Sequence, residues 1–457
     1  MDSSSPLPPA GALTVGGHLV RTLRLAFPVM LARAGLIIMV TVGTVMAGRA
    51  GGSQLAYFAI SLAPQTTMLV IGYGLLIGVA VLTAQADGAG RPRQCGRIWQ
   101  HGLAVAAGLG LLYALLLQAG EPILLATGQT PDLAEGGGAV LRQFAAGMPA
   151  ILIFVACSCF LEGIGRPQPG RVVSLAANLV NAGLCWLLIF GHAGLPAMGA
   201  AGAALAATIT RWLMVAAIVG YILAMPDGER FGLRRGGAGE FGQGVIKLLR
   251  LGLPLAVAAA LETSAFATAT LFAGWLGEGP LAAFQIALNV CTLAFMLSVG
   301  VSTASGLRVA HAVGREDRIG MVRAGWSGAA VILALMAVVG LAIGLEREAI
   351  ARFYSSDPAI VALTVPVLGV VAVAVLFDGL QGVMMGNTRG AADVAVPLAL
   401  HACSFWIVTV PLAWYLVTAT GTGATGLFAA LFVGLVCAGL LLAARFQVLT
   451  RRRIRPV

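Results

Sequence analysis

Two carboxylates stand where a carboxylate is costly. Glu262 lies in LPLAVAAALETSAFATATLF, eight residues after Pro254, and Asp378 lies in VAVAVLFDGLQGVMMG. Each is flanked by apolar residues on both sides, whereas the other sixteen of the 18 acids fall in loops, tails or the ends of apolar stretches. A charged acid at the depth of a bilayer costs several kcal/mol, so it faces a cavity, a partner or an ion path. Protonated, such a pair is neutral. Deprotonated, it can hold a sodium ion or an organic cation, and the difference biases a protein with two conformations. The structural alternative is a neutral, hydrogen-bonded acid.

Two bases are the counterparts, Arg33 in the first apolar stretch and Arg211 near the middle of the sixth. Snorkelling accounts for Arg33 and for Arg142, which sits nearer a helix end. Arg211 facing a cavity would favour anionic or zwitterionic cargo; its ordinary role would be a hydrogen bond between helices. Gln285, Asn289, Asn178, Asn181 and Gln381 are expected as buried amides joining helices. Met384, Met385, Phe284, Phe295 and Met296 could line a deformable cavity or simply pack. The candidate cavity set is Gln285, Asn289, Asn181, Met385, Arg33 and Arg211.

The elements that must position these groups are read from composition. Of 457 residues, 59% are hydrophobic and 10% charged, more apolar sequence than a soluble core can hide. Twelve stretches are long enough to cross a hydrocarbon core: 22–47, 55–84, 99–120, 138–160, 171–191, 199–223, 250–276, 282–312, 324–345, 359–385, 394–417 and 425–446. Stretches such as Leu103 to Leu117 are apolar on every face, which excludes the alternating strands of a membrane barrel. The expectation is an all-α membrane protein of twelve transmembrane helices in two pseudo-symmetric six-helix bundles. The first twenty residues lack a basic region followed by an apolar region and cleavage site, so no signal peptide is expected.

Charge sets the orientation. With a cytoplasmic amino terminus, 22 of the 28 Lys and Arg fall on the inner side, and the outer loops hold only Arg49, Arg347 and Arg352. This bias predicts both termini in the cytoplasm and a location in the inner (plasma) membrane. The basic tail is therefore a topology and lipid signal, and no nucleic acid is expected as partner.

The chain is written twice. At an offset of 226 residues, LRLAFPV (23–29) meets LRLGLPL (249–255), YFAISL (57–62) meets AFQIAL (283–288), and AQADG (84–88) meets AHAVG (310–314). This predicts a tail (1–21), an amino-terminal lobe (22–225), a cytoplasmic linker (226–249), a carboxy-terminal lobe (250–446) and a basic tail (447–457). Two G-x-G-x-x-G matches, 237–242 and 421–426, follow no strand and are expected by chance in a chain with 61 glycines. Seven cysteines have neither disulfide nor zinc spacing, and five dispersed histidines make no metal set. Neither an enzyme nor an organic cofactor is indicated.

The stretches FPVMLARAGLIIMVTVGTVMAGRAG, AAFQIALNV (282–290), LFDGLQGVMMGNTRG (376–390) and NLVNAGLCWLLIFG (178–191) resemble, in order and spacing, the multidrug and toxic compound extrusion family, and in particular its bacterial multidrug-efflux branch. The resemblance implies cation-driven export of small molecules by a monomer in the bilayer, with Glu262 and Asp378 matching the family's carboxy-lobe coupling acids. Departures accompany it. Gly43 stands where the family commonly has an acid, and Cys185 where some members have another. Ala374 replaces a tyrosine found in some sodium-coupled relatives, so protons are favoured over sodium at Glu262 and Asp378. The expected activity is antiport of amphipathic, cationic compounds; the alternative is a lipid-linked or dedicated metabolite flippase with a more basic cavity.

Overall fold

In the lipid interior every backbone N–H and C=O must be satisfied within the chain, so stretches apolar all round fold as helices. The computed structural model describes residues 38–192, 194–233 and 241–452, and no strand occurs among them. The helices are α1 (Ile38–Ala50), α2 (Gly52–Gly88), α3 (Pro92–Gln118), α4 (Gly120–Ala126), α5 (Pro131–Ala145), α6 (Met148–Gly163), α7 (Gln168–Phe190), α8 (Gly199–Leu223) and α9 (Gly228–Phe231). They continue as α10 (Phe241–Trp275), α11 (Glu278–Gly314), α12 (Arg318–Leu345), α13 (Arg347–Tyr354), α14 (Pro358–Gly390), α15 (Ala395–Ala402), a π-helical turn (Cys403–Thr409), α16 (Val410–Ala419) and α17 (Gly423–Arg451).

Ten helical segments among the described residues are long and apolar enough to span a membrane, and the pair α5–α6, bent by 45°, makes an eleventh. The expected first span, 22–47, lies mostly outside the described residues, which retain only its end in α1. The fourth expected span, 138–160, is a bent pair of helices. It starts earlier, at Pro131, and breaks before Met148, because Pro149 at the start of α6 has no N–H to continue the ladder of α5. Outward-facing leucines such as Leu111 and Leu115 on α3 are 59% and 62% exposed, as a lipid-facing surface requires.

Element boundaries repeat at the offset found in the sequence. Gly52–Gly88 recurs as Glu278–Gly314, both of 37 residues, and Pro92–Gln118 recurs as Arg318–Leu345, whose start is again 226 positions on. The bent pair α5–α6 corresponds to the single helix α14, and α7 to the α15, π-turn and α16 run.

By packing, the chain divides into two compact units, one within Leu31–Ala256 and the other within Val257–Val457. The boundary falls inside α10, later than the linker read from composition. The first half of α10 belongs to the first unit because glycines let it meet α2 backbone to backbone. A Cβ on Gly74 would lie 2.9 Å from the Ala256 Cα, and one on Gly252 would fall on the Leu75 carbonyl. Small residues supply this close approach where lipid offers no hydrophobic drive between helices.

The second unit uses the same device at the crossing of α11 and α14. Gly306 faces the Gly386 carbonyl, Gly390 faces that of Gly306, and a Cβ on Gly386 would come within 2.6 Å of the Ser302 carbonyl. Ser302 donates its hydroxyl to the Gly382 carbonyl at 2.6 Å, and Ser298 donates to that of Gly379 at 3.3 Å. Asp357 caps α14 by accepting from the Ala359 N–H at 2.8 Å. This crossing clamps the stretch of α14 that begins with Asp378.

Candidate functional site

Glu262 sits mid-way along α10 and Asp378 along α14, both in the second unit. They are not equally placed. Asp378 is buried, whereas the Glu262 side chain is 23% exposed. Asp378 lies within reach of the Glu262 charge, and Cys291 of α11 lies within reach of both. The Cys291 thiol is 4.0 Å from Asp378 Oδ2, a weak donor toward the buried acid.

The group that organises the site is His401, on α15, one of five histidines in which the sequence reading saw only dispersion. Its ring is 1% exposed. Nε2 lies 3.3 Å from Glu262 Oε2, and Nδ1 lies 3.5 Å from the Gln381 side-chain nitrogen, with the Phe405 ring at 4.8 Å. Gln381 is on α14, three residues after Asp378, so the chain Glu262, His401, Gln381 ties α10, α15 and α14 together. The signal was available in the sequence. An ionisable ring inside an apolar span is as conspicuous as an acid there, although no metal-ligand spacing marks it.

Two arrangements satisfy the ring. With the Gln381 amide donating to Nδ1, the imidazole is neutral and its Nε2–H donates to Glu262. Gln381 Oε1 is buried without a hydrogen-bond partner, and rotating the amide by a half turn presents that oxygen to an Nδ1–H, so the imidazolium also has two acceptors. Both protonation states therefore have partners, and they differ only by a half turn of the Gln381 amide.

Local distortion sets these angles. The helix after His401 widens into the π-turn Cys403–Thr409, closed by the Thr409 hydroxyl donating to the Ser404 carbonyl at 3.0 Å. Pro411 lies two residues beyond it; its missing N–H and its ring disrupt the regular ladder there. Within the turn, the Trp406 indole N–H donates to the Leu261 carbonyl at 3.1 Å, pinning the residue that precedes Glu262. Such π-turns often occur at functional positions.

Other candidates are scattered. Gln285 and Asn289 of α11 are exposed, not the buried amides expected, because they fall on the outward face opposite buried Ala283, Phe284, Ala287 and Val290. Asn289 accepts a 2.8 Å hydrogen bond from the Tyr354 hydroxyl. Met385 packs half-buried against a core cluster containing Val309, Leu380, Met384 and Phe446. Glu162, read as a helix-end acid, is 6% exposed at the end of α6, so buried acids number more than the two expected. Arg142 is exposed and pairs with Glu121 at 3.4 Å. Arg33 lies outside the described residues.

Asn181 and Arg211 belong to the first unit. Asn181 is 1% exposed on α7 and donates to the Met39 carbonyl at 3.5 Å, beside Cys185 one turn on. Gly43 has no room for an acid without movement, since a Cβ there would lie 3.0 Å from the Phe58 ring. Arg211 is 2% exposed on α8, with its guanidinium 5.3 Å from the centre of the Phe144 ring.

Comparison with known proteins places this arrangement. The MatE family model matches residues 28–187 and again 254–415, two stretches starting 226 residues apart as the repeats do. A probable multidrug resistance protein NorM of Caulobacter vibrioides is 35% identical, over 95% of this chain and 92% of its own length. One of Bradyrhizobium diazoefficiens is 36% identical over 95% and 94%. Among solved structures, the eukaryotic MATE transporter AtDTX14 superposes with a TM-score of 0.85 at 19% identity, covering 96% of this chain and all of the other. A MOP superfamily transporter from Pyrococcus furiosus, described as having a binding pocket of reverse polarity, matches with a TM-score of 0.85 at 17% identity, covering 98% and 99%.

Proposed function

Because this chain belongs to the MatE family, we propose that it is a secondary antiporter of the bacterial multidrug-efflux kind, exporting amphipathic cationic compounds in exchange for protons through Glu262, His401 and Asp378. It is a multi-pass membrane protein; the positive-inside bias supports an inner-membrane location with both termini cytoplasmic, and the chain acts as a monomer in the bilayer. No catalytic group or organic cofactor enters the scheme.

The observation that carries the reading is the 3.3 Å contact between His401 and Glu262 beside a buried Asp378. A transported sodium ion is a hard cation and seeks a shell of oxygen donors, as calcium and magnesium do. Here the carboxylate oxygen of Glu262 faces a ring nitrogen, and that of Asp378 faces a thiol. Imidazole and carboxylate in contact are suited instead to sharing and passing a proton. When the group is protonated, the cluster around Asp378 is neutral and can close; loss of the proton leaves a negative charge that draws in a cationic cargo and favours the conformation where it is solvated. The exchange follows because the two occupants compete for the same charge.

Purified protein in vesicles tests this. An imposed proton gradient should drive efflux of a cationic dye, and a sodium gradient at clamped pH should not. Retained proton coupling in the Glu262→Gln/Asp378→Asn double variant would overturn the mechanism, and efflux driven by sodium alone would overturn the choice of ion.

A further inference from the structure

The first unit carries a basic pocket that the export scheme leaves unused. The start of α3 and the short helix α9 enclose about 440 Å³, lined by Arg91, Pro92, Arg93, Gln94, Glu229 and Arg230. Three arginines thus share the lining with one acid. Arg91, Arg93 and Arg230 are exposed and form no salt bridge among the described residues, whereas the neighbouring acid Asp227 is paired with Arg166. Asp87, at the end of α2, stands outside the lining, within reach of the buried Cys95. Lys247 of α10 adds a further base within reach of the Arg91 charge. Like charges gathered in a concave place raise the local potential and draw in an anion.

The walls are fixed before anything binds. Gly96 lets α3 lie directly against the Phe231 carbonyl, Gln100 Nε2 donates to the Leu233 carbonyl at 3.1 Å, and the Phe231 ring packs edge-on against Phe160 at 6.1 Å. The second copy of the frame fills the same place with its own carboxylate. Arg91 shifted by 226 is Asp317, which precedes α12 as Arg91 precedes α3, and Asp317 accepts from the Gly320 N–H at 2.7 Å. In the first copy no side chain caps α3, and Arg91 and Arg93 add positive charge where the helix dipole is already positive. An anion from outside the chain would supply there what Asp317 supplies in the second copy. The bases stand near the ends of the spans α3 and α10 that the charge bias assigns to the cytoplasmic side, where that leaflet carries its phosphates. Beside Lys247, Ile246, Leu249 and Leu253 are 52%, 37% and 57% exposed at helical spacing, an apolar surface suited to acyl chains.

We propose that this pocket binds the phosphate of an anionic phospholipid of the cytoplasmic leaflet, with Arg91 and Arg93 of α3 and Arg230 of α9 as its cationic contacts. A guanidinium meets phosphate oxygens two at a time, and a basic pocket between spans suits an anionic head group. Three arginines against Glu229 leave the lining with two positive charges, more than the single negative charge of a phosphodiester requires. A lipid held there bridges α3 and α9 and stabilises the folded protein as any ligand of the native state does. The proposal draws on the topology reading only in placing the pocket at the inner leaflet, and the measurement below requires neither orientation nor transport.

Native mass spectrometry of the detergent-purified full chain, titrated with dioleoylphosphatidylglycerol, tests the site, with dioleoylphosphatidylcholine as the neutral probe and sodium phosphate as the inorganic competitor. Wild type should retain phosphatidylglycerol saturably, and Arg93→Gln/Arg230→Gln should retain it about tenfold more weakly. Arg142→Gln/Arg352→Gln, which removes two positive charges elsewhere, should match wild type. Arg91→Asp, which gives α3 the residue that caps α12, should stay folded and lose the rise in unfolding temperature that phosphatidylglycerol gives wild type; it carries the test if the double variant does not fold. Equal retention by wild type and Arg93→Gln/Arg230→Gln would overturn the proposal, as would an undiminished temperature rise in Arg91→Asp. An equal loss in Arg142→Gln/Arg352→Gln would reduce the effect to overall charge, and equal retention of phosphatidylcholine would remove the phosphate charge from recognition; either result overturns the site. Full displacement by millimolar phosphate would assign the pocket to a free anion and overturn the phospholipid.

Discussion

Replacing His401 by Phe preserves ring size and apolar contact with Phe405 but removes both nitrogens from the Glu262, His401, Gln381 chain. Glu262 then loses a 3.3 Å partner and the Gln381 amide loses a 3.5 Å one. Neither contact is short, and Glu262 is partly exposed, so each is worth the lower end of a side-chain hydrogen bond, about 0.5–1 kcal/mol. Together they amount to about 1–2 kcal/mol, a factor of about 5–30 in an equilibrium constant. If the imidazole carries or holds the exchanged proton, that loss falls on the coupling step, and proton-driven dye efflux in vesicles should slow by about that factor. His401→Gln separates carrying from holding. Glutamine can keep a hydrogen bond to Glu262 but does not titrate, so slow efflux in both variants marks His401 as a proton carrier, and rescue by glutamine marks it as a positioning residue. Unchanged efflux by His401→Phe at every pH tested, with the variant correctly folded, would refute the reasoning.

Three other substitutions probe the frame. Gly386→Val drives a branched side chain into the Ser302 backbone where α11 and α14 cross, and should destabilise by more than the ~1–3 kcal/mol usual for overpacking, read as a lowered unfolding temperature in detergent. Arg445→Gln breaks the 2.7 Å pair with Asp393, both side chains about one-sixth exposed, and should cost about 1–3 kcal/mol in the same assay by leaving the carboxylate short of its partner. Gly43→Asp meets the Phe58 ring and should destabilise by about 1–3 kcal/mol without adding a functional ion site, whereas adding Phe58→Ala should recover part of the stability.

Much of the architecture was legible because bilayer physics leaves few options. Apolar length marked the spans, and the 226-residue offset found in short matches reappears in the ends of α2, α3, α11 and α12. The broken pair α5–α6 and the π-turn escaped because each depends on how one proline is accommodated by its neighbours, and Pro149, Pro254 and Pro366 look alike on paper. Glu262 and Asp378 were visible because burial of an acid is a local property of the string. The contact with His401, 139 positions from Glu262 in the chain, was not. Neither was the exposure of Gln285 and Asn289, since an apolar helix with little amphipathic contrast does not announce which face meets lipid.

The repeats sharpen what the two units do. Shifted by 226, Asp378 falls on Leu152, a buried side chain packed on Gly72, and His401 falls on Leu175, which is 40% exposed. In the other direction the offset has shortened to 224 between α8 and α17, which start at Gly199 and Gly423, so Arg211 falls on the buried Leu435. The two copies of one frame have therefore diverged in charge: Glu262, Asp378 and His401 gather in the second, while in the first the buried Arg211 has no hydrogen-bond partner for Nε and Nη1 among the described residues. An unpaired buried charge of either sign is expensive in the same helical scaffold. Proton coupling should therefore follow the second unit: Asp378→Asn should abolish proton-driven efflux, whereas a folded Arg211→Gln variant should keep the proton dependence of its efflux, and loss of that dependence would show that both units share the coupling.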